Sequence, residues 1–258
     1  MDFSNVADNL RESFRALAAG RETGEVRELR GVSIASAGVV FQMFNAAFLS
    51  SPVASDADLT QRIALASLHF EARGLEWAYW ICDDWLDKRV RSRSRRLFDK
   101  HGLRHSVDLP GMVAEEVLPP THPLPRLEVR RVCSPATRDA FCAIGSMCFN
   151  VPLSWFRQVF EPTGVWDRFH GYVGYVGAEA VSTAAVVIND GVAGIYNVAT
   201  APGYQRRGYG EAIVRHALEG AHREQGIERS VLQSTKAGYS LYERMGYRTV
   251  TSVAVYST

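Results

Sequence analysis

The segment 194–218, GIYNVATAPGYQRRGYGEAIVRHAL, restricts what this chain can fold into more than any other. An apolar, partly β-branched run ends at about Thr200, Pro202 forbids its continuation as a ladder strand, and an apolar stripe at helical spacing (Ile213, Ala217, Ala221) follows Gly208 and Gly210. The pattern predicts a strand, a short basic loop holding Gln205, Arg206 and Arg207, and a helix over 208–225. Such a junction suits an anion. Glycines admit close backbone approach, the first helical turn offers unpaired N–H groups, the dipole favours negative charge, and two arginines add donors that match phosphate oxygens. A pyrophosphate meets that description. Two common nucleotide loops fit poorly: Ile213 stands where a Rossmann loop wants a small residue, and no Gly-Lys-Ser/Thr is present.

The surroundings are those of an ordinary globular chain. Of 258 residues, 47% are hydrophobic and 22% charged, and 29 Lys plus Arg oppose 28 Asp plus Glu, so no global field selects a polyanion or a membrane. Cys82, Cys133, Cys142 and Cys148 have no metal or disulfide spacing, which predicts reduced thiols in a cytoplasmic protein and no metal site. Phe3, Val6, Leu10, Phe14 and Leu17 predict an amphipathic first helix rather than a signal peptide. Positions 31–55 carry no charge, yet Ser33, Ser36, Gln42, Asn45, Ser50 and Ser51 argue against a membrane span, and Val39-Val40-Phe41 reads as buried strand.

Half of the ten prolines lie between Pro110 and Pro125, and LPPTHPLPR predicts a linker over 119–126 between a domain at 1–118 and one at 127–258. The back half reads as strand 127–132, helix 134–149, helix 153–160, three strands through 170–200, helix 208–225, strand 229–234, helix 237–244 and strand 247–256: an α+β or mixed α/β fold, a mostly antiparallel twisted sheet flanked by helices. The front echoes it. Asn45 matches Asn197 and Gly74 matches Gly226 at one offset, and LFDKHGLR (97–104) matches LYERMGYR (241–248), which predicts two tandem copies with a degenerate first.

Gln205-Arg206-Arg207-Gly208-Tyr209-Gly210 resembles the acyl-CoA motif Q/R-x-x-G-x-G/A of the GCN5-related N-acetyltransferase (GNAT) superfamily. Leu241-Tyr242-Glu243-Arg244-Met245-Gly246-Tyr247 resembles the family's second signature, L-Y-E-x-x-G-F/Y. The resemblance covers 127–258 well and implies an acyl-CoA N-acyltransferase fold, with acetyl-CoA in a V between the strand ending at Thr200 and the strand 229–234. It further implies pantetheine bonded to the backbone of Val198, Ala199 and Thr200, and pyrophosphate on Gln205, Arg206, Arg207, Gly208, Tyr209, Gly210 and Glu211. Tyr242 would be the general acid and the N–H of Val198 the carbonyl-polarising donor, with an amine of a small molecule or peptide attacking directly. The family often has Asn where this chain has Thr235, so the chain departs from the family at that cofactor contact.

No spacing selects a general base among Glu161, Asp167, His170 and Asp190, and His216 and His222 are expected to face solvent. The basic run KRVRSRSRRLFDK (88–100) has little aromatic interleaving and reads as a solvated face or a subunit-facing patch, so nucleic acid is not an expected partner. A rival is a non-catalytic acyl-CoA-binding regulator whose basic front domain binds nucleic acid. Asp56 and Asp58 replace the arginine-glycine loop in the first copy and would repel a pyrophosphate. Whether the front half closes an acceptor cleft or forms a homodimer stays open.

Overall fold

A computed structural model describes residues 2–258. Helix α1 (Asp2–Ala19) leads into strands β1 (Glu25–Leu29), β2 (Val32–Ser36) and β3 (Asn45–Leu49), helix α2 (Asp56–Glu71), strand β4 (Ala78–Cys82), short helices α3 (Lys88–Arg91) and α4 (Ser94–Lys100), and strand β5 (Arg104–Ala114). After a stretch without helix or strand, the chain forms β6 (Glu128–Arg131), helices α5 (Pro135–Phe149) and α6 (Leu153–Phe160), and the meander β7 (His170–Val176), β8 (Glu179–Asn189), β9 (Val192–Thr200). Helix α7 (Tyr209–Gln225), β10 (Ser230–Gln233), α8 (Tyr239–Arg244) and β11 (Arg248–Ser257) complete it. Among the described residues no helix is long and apolar enough to cross a membrane.

All eleven strands join one sheet, in the order β1-β2-β3-β4-β11-β5-β10-β9-β8-β7-β6. Only β3–β4 and β9–β10 pair in parallel; the other neighbours are antiparallel. The last strand of each half lies beside the other half: β5 pairs with β10, and β11 pairs with β4. The two then pair with each other from Arg248↔Val113 to Ser257↔Arg104. Neither half can satisfy its ladder alone, because removing either strand would leave a row of backbone donors and acceptors unpaired.

Alternation along the central strands sorts the helices. Met112, Ala114, Ala254 and Tyr256 face the layer of α2, α4, α7 and α8, whereas Val113 and Val253 face α1. Helices α5 and α6 lie on the α1 face, over Val173, Ala185 and Val187. Helix α1 touches both halves: the Phe14 ring lies 5.2 Å from those of Phe48 and Trp80, while Asn9 Nδ2 donates to Val192 O at 2.9 Å and Val187 O at 3.2 Å. Asn9 Oδ1 accepts from Tyr196 Oη at 2.7 Å. Gly194 is required beneath it, since a Cβ there would lie 1.7 Å from Asn9 Oδ1.

Two sequence expectations change. Residues Val39-Val40-Phe41 form no strand but a bend before a 3₁₀ turn at Gln42–Phe44, with Val40 57% exposed. The backbone there is tied down by Asn45, whose Nδ2 donates to Val39 O at 2.8 Å and to Glu76 O at 2.9 Å. Asn45 and Asn197 therefore play different parts. Asn45 precedes the parallel pair Ala46↔Ala78, but Asn197 follows the last pair, Leu232↔Ile195, and sits in a bulge at φ 51°. Gly74 and Gly226 do correspond in conformation, each left-handed just ahead of β4 or β10 at φ 61° and 67°, as do Gly102 and Gly246 ahead of β5 and β11 at 77° and 94°.

Asn9→Ala orphans Tyr196 Oη and removes the second donor to the Val192 and Val187 carbonyls, so it should lower stability by about 2–3 kcal/mol, while Tyr196→Phe should cost about 1 kcal/mol. Urea unfolding of the full chain measures both; equal costs would place the stabilisation elsewhere.

Candidate acyl-transfer cleft

Strands β9 and β10 pair only over Ser230↔Ala193, Val231↔Gly194 and Leu232↔Ile195. Beyond that point they part. Ser234 N turns to Pro110 O of β5 at 2.9 Å, and β9 continues from Tyr196 to Thr200 with a strand partner on the β8 side alone. The bulge is fixed by Thr183 Oγ1, which donates to Asn197 O at 2.8 Å, and asparagine tolerates the left-handed backbone it needs. An extended edge with unpaired amides thus opens on one side of a V.

At the mouth of this V, Ala201–Tyr209 turns into α7. Tyr204 N donates to Ala201 O at 2.8 Å, and the helical ladder starts with Ala212 N to Gly208 O at 3.0 Å. Among the described residues, no backbone N–H from Gln205 through Glu211 donates a short, well-aligned hydrogen bond, although 205–208 form a turn, and α7 has no side-chain cap. Arg206 at φ 58° and Gly208 at φ 84° reverse the backbone hand and curl these amides into a concave nest. Arg207 lies over the rings of Tyr204 at 5.4 Å and Tyr209 at 5.6 Å, while exposed Arg206 has no acidic or hydrogen-bonding partner among the described residues. Gln205 Nε2 braces the turn on Thr200 O at 3.0 Å. The Glu211 side chain is buried and committed to Arg215, 2.7 Å away, so only its backbone N–H is available to a ligand.

The front half has the same strand-helix-strand frame in a closed form. Past Phe48↔Trp80 its strands are re-joined by Val53 N to Trp85 O at 2.8 Å and Asp87 N to Val53 O at 3.0 Å. Ser55 caps α2 by accepting from Asp58 N at 3.2 Å. Buried Arg62 fills the space, donating to Ser51 O at 2.7 Å, Pro52 O at 2.9 Å and Gly31 O at 3.2 Å, and pairing with both oxygens of Asp58. Its donors are used internally, and its N-terminal amides are already capped.

Tyr242 lies on the α7 face, its ring edge against Gly238, where a Cβ would come within 3.0 Å of its Cε2 and 3.5 Å of Ser234 Oγ. It is 6% exposed and stands 5.7 Å from Tyr247, edge to face. Burial, reinforced by the neighbouring Tyr247, raises its phenol above the usual tyrosine range, so it stays protonated at neutral pH. Thr235 serves the turn into α8, accepting from Gly238 N at 3.3 Å through Oγ1 and from Tyr239 N at 3.1 Å through its carbonyl.

The expected bases do not gather at the V. Asp190 sits in the β8–β9 turn, and His170 pairs with Val186, whereas Thr200 pairs with Ser182, so both lie toward the opposite end of the sheet. His170 Nδ1 is bonded to Arg131, and burial together with that cation lowers its pKa. Glu161 lines a small cavity with Arg138, Asp139, Cys142 and Arg157, and Asp167 is exposed at the end of a 3₁₀ turn whose Val165 and Trp166 are buried. His216 is half-buried, its ring 5.7 Å from Tyr172, rather than solvent-facing, and its pKa is lowered by burial. Two contacts had no sequence signal: Cys148 Sγ donates to Thr200 O at 3.3 Å, and Pro125 packs against Gly208, its Cδ 2.9 Å from where a Cβ would lie.

Residues 167–249, about a third of the chain, match the model of the acetyltransferase (GNAT) domain family. A search of curated proteins finds no match. Among solved structures the chain is similar to a GCN5-related N-acetyltransferase from Kribbella flavida, with a TM-score of 0.73 at 17% identity over 97% of this chain and 95% of that one. It is similar to a functionally unknown conserved protein from Staphylococcus epidermidis, with a TM-score of 0.66 at 12% identity over 91% and 94%. A GCN5-related N-acetyltransferase from Sphaerobacter thermophilus gives 0.52 at 13% identity over 90% and 82%. These likenesses establish a mixed α/β GNAT-like fold with a central sheet flanked by helices, extending across both halves of the chain.

Gly208→Ala forces a side chain into a left-handed backbone and against Pro125, and should cost about 1–2 kcal/mol. Gly210→Ala should be milder, because its Cβ would lie 3.3 Å from Thr200 Oγ1 in ordinary helical backbone. Thermal unfolding of the two variants checks the order.

Proposed function

We propose that the protein transfers an acetyl group from acetyl-CoA to a primary amine of a small molecule or peptide, and that residues 127–258 carry the chemistry. The observation that bears most weight is the run of free amides from Gln205 to Glu211 beside Arg206 and Arg207, at the mouth of the opened β9 edge. A pyrophosphate supplies the acceptors those amides lack. Pantetheine amides would bond to the free edge at Val198, Ala199 and Thr200, which carries the thioester into the V. Residues 1–118 are then a degenerate copy of the same half-fold, joined through 119–126, and their cleft holds no cofactor because Arg62, the Ser55 cap and the Val53–Leu86 bridge occupy it.

In this scheme the amine attacks the thioester carbon directly, and the carbonyl oxygen gains charge that the Val198 N–H stabilises. Collapse of the tetrahedral species breaks the C–S bond. The thiolate takes a proton from Tyr242, whose burial keeps the phenol protonated past its usual range. The attacking nitrogen gives its own proton to water, since none of the four expected bases stands at the V.

Calorimetric titration should find one acetyl-CoA site per chain, weakened at least 30-fold by Arg206→Glu/Arg207→Glu. Unchanged binding by that double variant would refute the site. Tyr242→Phe should lower kcat about 10²-fold with the acetyl-CoA Kd unchanged. Because the folded-state phenol titrates above its ordinary value near 10, kcat should not fall between pH 8 and 10; a descending limb in that window that Tyr242→Phe abolishes would contradict the assigned protonation state.

A further inference from the structure

The uncharged run 31–55 and the exposed Val40 are not used by the cofactor site. The run's bend, residues 37–44, lies against α6: Val40 N donates to Gln158 Oε1 at 3.4 Å, and the Phe41 and Trp155 rings are 5.8 Å apart. On the other flank of α6, the Phe149 and Phe156 rings stack at 6.2 Å. Of the six large hydrophobic side chains that stand exposed among the described residues, three are here: Val40 and Met147 at 57% and Phe149 at 40%. Between Met147 and Phe149, Cys148 donates to Thr200 O, which ties this surface to the end of β9, two residues from the Val198 N–H assigned to the thioester carbonyl.

Charge is sparse in the two facing segments, and the one cation that enters between them, Arg21 just past α1, has its guanidinium engaged by Ala37 O at 2.8 Å and by Gln158 O. Positions 31–55 contain no Asp, Glu, Lys or Arg, and positions 140–160 contain only Arg157, which is paired with Asp139. A surface that recognised a polyamine would hold carboxylates, and one that recognised a phosphorylated or acidic acceptor would hold free cations. Exposed apolar side chains grouped beside a reaction site instead mark contact with apolar ligand surface.

Resting on the acetyl-transfer reading above, we infer that the acceptor is an amine carried on an apolar body, alkyl or aryl, which lies across Val40, Phe41, Met147, Phe149 and Trp155. The amine end reaches the opened β9 edge, and the rest of the molecule loses water against this rim. Complete burial of each additional methylene is then worth about fourfold in kcat/KM.

The test uses the full chain, acetyl-CoA and release of the CoA thiol, with primary amines from ethylamine to hexylamine, phenethylamine and spermidine. The expected result is a kcat/KM that rises two- to fourfold per methylene, with phenethylamine above butylamine and spermidine below hexylamine. In Phe149→Ser and Met147→Ser the slope per methylene should flatten while the acetyl-CoA Kd is unchanged. Met147 is the more exposed of the two, and because Phe149 also stacks on Phe156, thermal unfolding of both variants accompanies the kinetics. A flat series, spermidine as the best acceptor, a slope that neither variant alters, or acetyl-CoA bound with none of these amines acetylated would each overturn the inference and leave the cofactor site standing. Failure to bind acetyl-CoA at all would bring down the underlying reading, and the apolar acceptor with it.

Discussion

Backbone polar groups must be paired, and the architecture of this protein turns on where that rule is satisfied and where it is suspended. Strand pairing runs through the centre of the sheet, interrupted by two bulges, where β11 and β5 cross between the halves. It stops at Ile195 and Leu232. From that point the β9 edge and the first turn of α7 keep amides without close internal acceptors, the groups that the proposed function gives to a pantetheine chain and a pyrophosphate. The arginines beside them add charge, but the nest and the open edge exist without them.

The front half shows what the same frame becomes when the rule is obeyed throughout. One buried guanidinium, one serine cap and a single bridge at Val53 pair the groups that the back half leaves open. A buried arginine is tolerated there because Asp58 and three carbonyls receive its protons; deprived of them it would be strongly destabilising. The front half contributes instead through packing: Phe14 and Asn9 of α1 fasten both halves, and the bend at 37–44 is laid against α6 on the face where an acceptor would approach.

Much of this was legible in the chain. The helix α7 and its loop, the meander β7–β9 and the helix α5 opened by Ser134 follow from local chemistry, because glycines, caps and periodicity act within a few residues. Matching letters misled where the partner was remote. Asn45 and Asn197 look equivalent, yet one staples a loop to Val39 and Glu76 and the other bulges a strand. Val39-Val40-Phe41 is apolar enough for a strand, but it rounds a bend whose neighbour, α6, is more than a hundred positions away.

The sequence by itself determined the basic glycine loop that leads into α7, the identity of Tyr242 as a phenol at the second signature, and the uncharged composition of 31–55, since these depend on residue chemistry and short spacing. Tertiary structure alone decided that β5 and β11 change sides, that Glu211 spends its charge on Arg215, that Arg62 closes the front cleft, and that Cys148 anchors the α5–α6 rim to Thr200. Each of those is a choice among partners of similar chemistry. Only the packed fold, by setting which of them come within hydrogen-bond distance, makes that choice.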